Sequence, residues 1–188
     1  KRRTGKTHFL KALCFQMRRY FPTVIVFTKT KFNGDLLKIF PDAYIYNDMD
    51  ESRLSAILDA QRAAVGEVKK TDQPWPNQRL LLVFDDVLSD SKNPRYNEML
   101  RKMFFEGRHF WVSFVITSQD SKGLPPAMKQ NTDITFILPM QARRDRETVA
   151  DNSLPFLLND KDTREFLGKT MQLKHNFIAI VNCRGARP

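Results

Sequence analysis

Three stretches of this chain are apolar almost from end to end: TVIVFT at 23–28, LLLVF at 80–84 and FWVSFVIT at 110–117. A strand with one face in water alternates apolar and polar residues, whereas a strand without alternation is covered on both faces. Between these runs the apolar residues recur at helical spacing. Phe9, Leu10, Leu13 and Met17 form one such stripe, with Arg18 and Arg19 at its carboxyl end, where a helix favours cations. Leu54, Ile57, Leu58 and Val65 form a second within Ser52 to Val68, and Pro94 to Glu106 gives a third helix, closed by Gly107 as a C-cap. Buried strands alternating with helices predict an α/β fold, a mostly parallel sheet with helices on both faces. DAYIYND, ITFIL (134–138) and NFIAIVN add short strands, Gln141–Ala150 and Lys161–Leu167 add helices, and KKTDQPWPNQ, with prolines flanking Trp75, reads as a loop. Residues 1–188 are long enough for one domain with a real core.

Right-handed crossovers in such a sheet bring all the strand carboxyl ends to one edge, where ligands bind. Polar residues that end apolar runs therefore carry more information than polar residues elsewhere. Asp85 and Asp86 end one run, and Gln119 ends another. All three are expected in the same crevice.

The chain opens KRRTGKTHFL. Gly5, Lys6 and Thr7 fit the end of the phosphate-loop pattern G-x-x-x-x-G-K-[ST], with Lys1 to Thr4 in the four variable positions. The first glycine of the pattern falls one residue before Lys1, so the sequence is expected to begin inside the loop. Thr4, Gly5, Lys6, Thr7 and His8 are the candidate phosphate cradle: backbone N–H groups form an anion nest, and a helix amino terminus adds its dipole. A second GKT, at Gly168–Thr170, has Thr163 where the glycine belongs and no apolar strand before it. It reads as an ordinary helix end.

The roles follow from the chemistry of a triphosphate. Lys6 would reach its β- and γ-phosphates. The Thr7 hydroxyl would bind Mg²⁺, a hard ion that takes oxygen ligands, and Asp85 would hold the same ion through water. Two adjacent carboxylates are costly to pack together unless a cation is near. Asp86 would orient or deprotonate the attacking water. The Gln119 amide would sense the γ-phosphate or position water. Arg101, Arg108, Arg143, Arg144 and Arg146 are candidates for an arginine finger acting on a neighbouring subunit's nucleotide, Arg108 first among them.

Lys and Arg exceed Asp and Glu by enough to give a net charge of +10, which suits a polyanionic partner such as nucleic acid. Cys14 and Cys183 are far apart, and His8, His109 and His175 are scattered, so the spacing of a zinc site is missing. No apolar run reaches the length that spans a membrane.

Taken together, FDDV, the helix after it, EGRHFWVSFVITSQD and LPPAMKQNTDITFIL resemble the DNA-packaging ATPases of poxviruses and other large eukaryotic DNA viruses, in the FtsK–HerA superfamily of ring-forming P-loop motors. Gly107-Arg108-His109 ahead of a strand ending in Gln119 is the most specific part. Leu124-Pro125 and Asn131-Thr132 add to it. The resemblance runs from the phosphate loop to about residue 140. It implies a P-loop NTPase with a RecA/FtsK-like sheet, hydrolysing ATP with Mg²⁺ to move double-stranded DNA into a capsid. It implies a homo-oligomeric ring, contact with viral capsid proteins, and a place in the infected cell's cytoplasmic factory or nucleus, or in the virion. By position, Lys6 and Thr7 match the Walker A residues, Asp85 and Asp86 the Walker B pair, and Gln119 the sensor glutamine. The sequence departs from the pattern in carrying Lys1, Arg2 and Arg3 where small residues are commoner, and Asp86 where many members have Glu. Two other readings stay open on the residues alone: a small-molecule P-loop kinase with Arg143–Glu147 as a basic lid, and a DNA-binding P-loop protein without turnover.

Overall fold

The computed structural model describes residues 5–29, 38–39, 44–70, 78–87, 94–119, 124, 126–140, 142–153, 160–172 and 176–182. Thr4, the Trp75 loop, Pro125 and Cys183 lie outside them. The chain divides into two compact units, His8–Gln119 and a second made of Lys1–Thr7 with Asp120–Pro188.

The first unit is built on four parallel strands: β1 (Thr23–Thr28), β2 (Ile45–Tyr46), β3 (Leu80–Asp85) and β4 (Val112–Thr117), in the order β2-β1-β3-β4. Every residue of β3 is buried, as its unbroken apolar run requires of a central strand. Side chains alternate between faces. Val24, Val26, Leu81 and Val83 share one face and pack against Leu10 and Cys14 of helix α1 (Lys6–Met17). Phe27 and Phe84 point to the other face, where their rings stack with centroids 5.2 Å apart. Phe104, on helix α3 (Pro94–Glu106), stacks on Phe114 of β4 on that same face. Arg53 of helix α2 (Glu51–Lys69) lies over the Tyr46 ring. The sheet thus has helices on both faces, as its apolar strands predict.

Local signals explain the helix ends. Asp50 caps α2 by accepting from the Ser52 backbone N–H at 3.1 Å and the Ser52 hydroxyl at 2.8 Å. These two bonds, the hydroxyl's first, hold the Asp50 carboxyl below its ordinary range. Glu51 in the first turn and Lys69 in the last suit the helix dipole.

Gly107 does not act as the C-cap its position suggests. It opens a 3₁₀ turn (Gly107–Phe110), and the left-handed residue is Trp111, at φ 56°. Glycine is needed for space. A Cβ at Gly107 would stand 2.8 Å from two ring carbons of Phe114. Gly107→Ala should therefore cost about 1–3 kcal/mol, the range for overpacking a filled core. Urea unfolding measures this, and an unchanged midpoint would show that the Phe104–Phe114 stack yields freely.

The second unit departs from the parallel plan. Here β5 (Ile134–Ile137) and β6 (Ile178–Val181) form an antiparallel pair. Exposure along β6 alternates, the pattern of a strand with one wet face. Ile178 and Ile180 pack with Ile137, Val149, Leu167 and Met171, drawing on helices α5 (Arg143–Ser153) and α6 (Asp160–Gln172). The short helix α4 (Pro126–Gln130) precedes β5. The second GKT lies inside α6, as ordinary helix.

Candidate functional site

The site is assembled at the carboxyl edge of the parallel sheet. Thr28, Asp85 and Thr117 are the last residues of three adjacent strands and are in register, Thr28 opposite Asp85 and Asp85 opposite Thr117. In a parallel sheet, residues in register point to the same face. The row continues the Val26, Val83 and Val115 face that packs on α1. Asp85 is only 5% exposed and Thr28 only 1%, so the carboxylate depends on protein partners. Thr117 Oγ1 donates to Asp85 Oδ1 at 2.5 Å, and Thr28 Oγ1 donates to Oδ2 at a longer 3.4 Å.

The next residue turns out of the strand. Asp86 has φ 59°, a left-handed conformation that Asp and Asn tolerate better than most residues. Its backbone N–H reaches the Thr117 carbonyl at 3.3 Å and the Thr117 hydroxyl at 3.2 Å. Its half-exposed carboxylate accepts a hydrogen bond from Gln119 Nε2. The structure therefore brings Asp85, Asp86 and Gln119 together, as expected of polar residues that end neighbouring apolar runs.

Arg108 is not with them. It is exposed on the 3₁₀ turn ahead of β4, at the amino edge of the sheet. A six-residue strand separates it from Gln119 by about 20 Å. The turn is tied down there. Gln61 Nε2 donates to the carbonyls of Gln78 at 2.6 Å and Phe110 at 2.9 Å. Arg62 pairs with Glu106 at 2.8 Å and lies over the Phe110 ring.

Gly5, with φ +79°, leads directly into α1, which begins at Lys6. Lys6 and Thr7 are its first two residues. They group with the second unit, and His8, exposed, with the first. Glycine supplies the left-handed backbone that a tight turn into a helix needs.

Cys14 lies beneath the row of polar side chains. Burial pushes its thiol from 9.0 up to about 12, and the negative charge of Asp85 adds to the shift. Below pH 9 the folded and unfolded chains both keep this proton. Between 9.0 and about 12 only the unfolded chain releases it, so stability falls across that window. The slope should approach about 1.4 kcal/mol per pH unit. Urea unfolding across the window should show a steeper decline in the parent than in Cys14→Ala; equal slopes would contradict it.

Among the described residues no group of three His, Cys, Asp or Glu side chains could hold a metal ion. The donors present at the sheet edge are hard oxygens. Such a set does not enclose a transition metal, but it suits Mg²⁺, which keeps several waters and shares its ligands with phosphate. Thr28 and Thr117 were not among the residues singled out from the sequence. The signal was there: TVIVFT and VSFVIT both end in threonine, on strands that flank the acidic one.

Residues 1–154 match the family described as the poxvirus A32 protein. Relatives include an uncharacterised protein of Acanthamoeba polyphaga mimivirus, 25% identical over 154 residues, covering 81% of this chain and 54% of that protein. Another, from Invertebrate iridescent virus 6, is 27% identical over 159 residues, covering 83% and 55%. The chain thus spans about half the length of these curated relatives. Among solved structures, the genome packaging NTPase B204 of Sulfolobus turreted icosahedral virus 2, in complex with AMPPCP, superposes with a TM-score of 0.61 at 13% identity. That match covers 96% of this chain and 88% of that one. At such identity the likeness is one of fold, and it agrees with the parallel sheet described above. The family match covers most of the chain, the acidic edge of the sheet and the Gly107 turn included, so the chain belongs to the poxvirus A32 protein family.

Proposed function

We propose that this chain is the ATP-hydrolysing core of a viral genome-packaging motor that translocates double-stranded DNA. The observation that carries the reading is the meeting of Asp85, Asp86 and Gln119 at the carboxyl edge of a parallel sheet, with the Gln119 amide on the Asp86 carboxylate. Membership of the poxvirus A32 family supports it, and so does the fold shared with a packaging NTPase solved with ATP analogues.

In this reading Thr4 to His8 cradle the phosphates, and Lys6 neutralises charge on the β- and γ-phosphates. Helix α1 supports the assignment: a five-residue link (18–22) joins its end to β1, and a helix that feeds a strand so directly runs back along the sheet. Thr7, and Asp85 through water, would hold Mg²⁺, which when bound would neutralise charge developing on the phosphates. Asp86 takes the proton of the attacking water, and Gln119 keeps the Asp86 carboxylate aimed at it. Water-positioning groups of this kind favour hydrolysis over phosphate transfer to a small acceptor, since a kinase must exclude water.

Arg108 cannot serve the nucleotide of its own chain from the far edge of the sheet. As a finger it acts on a neighbouring copy, which calls for an oligomeric ring. The +10 charge suits a DNA partner, and capsid proteins would be the docking target in an infected cell. Among the described residues no helix is long and apolar enough to cross a membrane.

The test is ATP hydrolysis by the full-length protein with and without double-stranded DNA. DNA should stimulate turnover, and stimulation should weaken as salt rises through counterion release. Absence of hydrolysis under both conditions would overturn the proposal.

A further inference from the structure

Resting on the reading of Asp85 as the metal-side carboxylate, we propose that Thr117 is the residue that positions it. A threonine hydroxyl has one proton to give and lone pairs to offer. The backbone N–H of Asp86 occupies a lone pair of Thr117 Oγ1 at 3.2 Å. The single proton is thereby directed to Asp85 Oδ1, which it meets at 2.5 Å. Thr117 is itself fixed by the strand ladder, in register with Asp85. The terminal torsion of an Asp side chain is broad when nothing holds it. Here Thr117 meets one oxygen at 2.5 Å and Thr28 meets the other at 3.4 Å, so the Thr117 contact is the shorter of the two. The same hydroxyl thus sets the rotation of Asp85 and braces the turn at Asp86, whose carboxylate holds Gln119.

Magnesium tolerates little departure from octahedral geometry. A carboxylate without its shorter hydrogen bond would be held less firmly where it accepts from a metal-bound water, so the loss of Thr117 should appear as weaker metal binding. Thr117→Val keeps the branched shape that a strand favours while removing both the donor and the acceptor. Thr117→Ser keeps the hydroxyl. Thr28→Val removes only the longer contact.

The experiment measures Mn²⁺ affinity by paramagnetic resonance on the full-length protein, with a non-hydrolysable ATP analogue bound, alongside hydrolysis as a function of Mg²⁺. Thr117→Val should weaken Mn²⁺ binding about ten- to a hundred-fold, the worth of a hydrogen bond to a charged group. Hydrolysis should need correspondingly more Mg²⁺ while its rate at saturating metal recovers. Thr117→Ser should restore both, and Thr28→Val should show the smaller effect. Should the valine variant not fold, Thr117→Ala carries the same expected loss. A wild type that binds Mn²⁺ and hydrolyses ATP beside a Thr117→Val that matches it overturns the positioning role alone, as does a serine variant that fails to rescue. A wild type that neither binds the metal with nucleotide nor hydrolyses overturns this inference together with the function it rests on.

Discussion

Asp86→Asn should lower kcat for ATP hydrolysis by about 10²- to 10⁴-fold, the contribution of a positioned general base, with little change in ATP affinity. The substitution is well suited to the site. Asp86 sits at φ 59°, a conformation that Asn adopts as readily as Asp, so the turn out of β3 should form unchanged. The Asn side-chain oxygen still accepts the hydrogen bond that Gln119 Nε2 now gives to Asp86. What disappears is the capacity to take a proton and the negative charge. Asp86→Ala would confuse matters by straining the backbone as well. Steady-state hydrolysis at saturating ATP measures the effect. Turnover close to wild type would show that Asp86 is not the base.

Lys6→Ala should cost both nucleotide binding and turnover, with kcat falling about 10²- to 10³-fold, as when one oriented charge or donor is removed from a transition state that gathers negative charge. Alanine is the best helix former, and Lys6 is the first residue of α1. The helix should therefore persist and Leu10 and Cys14 should remain packed on the sheet. A fluorescent nucleotide titration separates loss of affinity from loss of rate, and cooperative thermal unfolding without nucleotide checks that the fold is kept. A variant that binds and hydrolyses ATP normally would remove Lys6 from the site.

Much of the first unit was legible because burial leaves a direct trace in the sequence. LLLVF has no polar residue on either face, and β3 is buried along its whole length. The meeting of Asp85, Asp86 and Gln119 followed from topology, since parallel strands must end together. The pairing of β5 with β6 was not legible. ITFIL and NFIAIVN lie about 40 residues apart, and a short apolar run does not state the direction of its partner. Gly107 was correctly marked as special for the wrong reason, because its close approach to the Phe114 ring depends on a packing that sequence does not display. Thr28 and Thr117 were passed over because a threonine ending a strand is common. Only the register that sets both beside a buried carboxylate gives them meaning.

One triphosphate, held at the helix start that carries Lys6 and joined through a metal ion to the buried acid of β3, is the claim on which the rest stands. The most direct measurement is a crystal structure of the full-length protein with ATPγS and Mg²⁺. Phosphates on the backbone N–H groups around Gly5 to Thr7, with Asp85 reaching the metal through water and Asp86 facing the γ-phosphate, is the predicted result. Nucleotide bound elsewhere, or bound at Lys6 with Asp85 turned away from it, would contradict the claim.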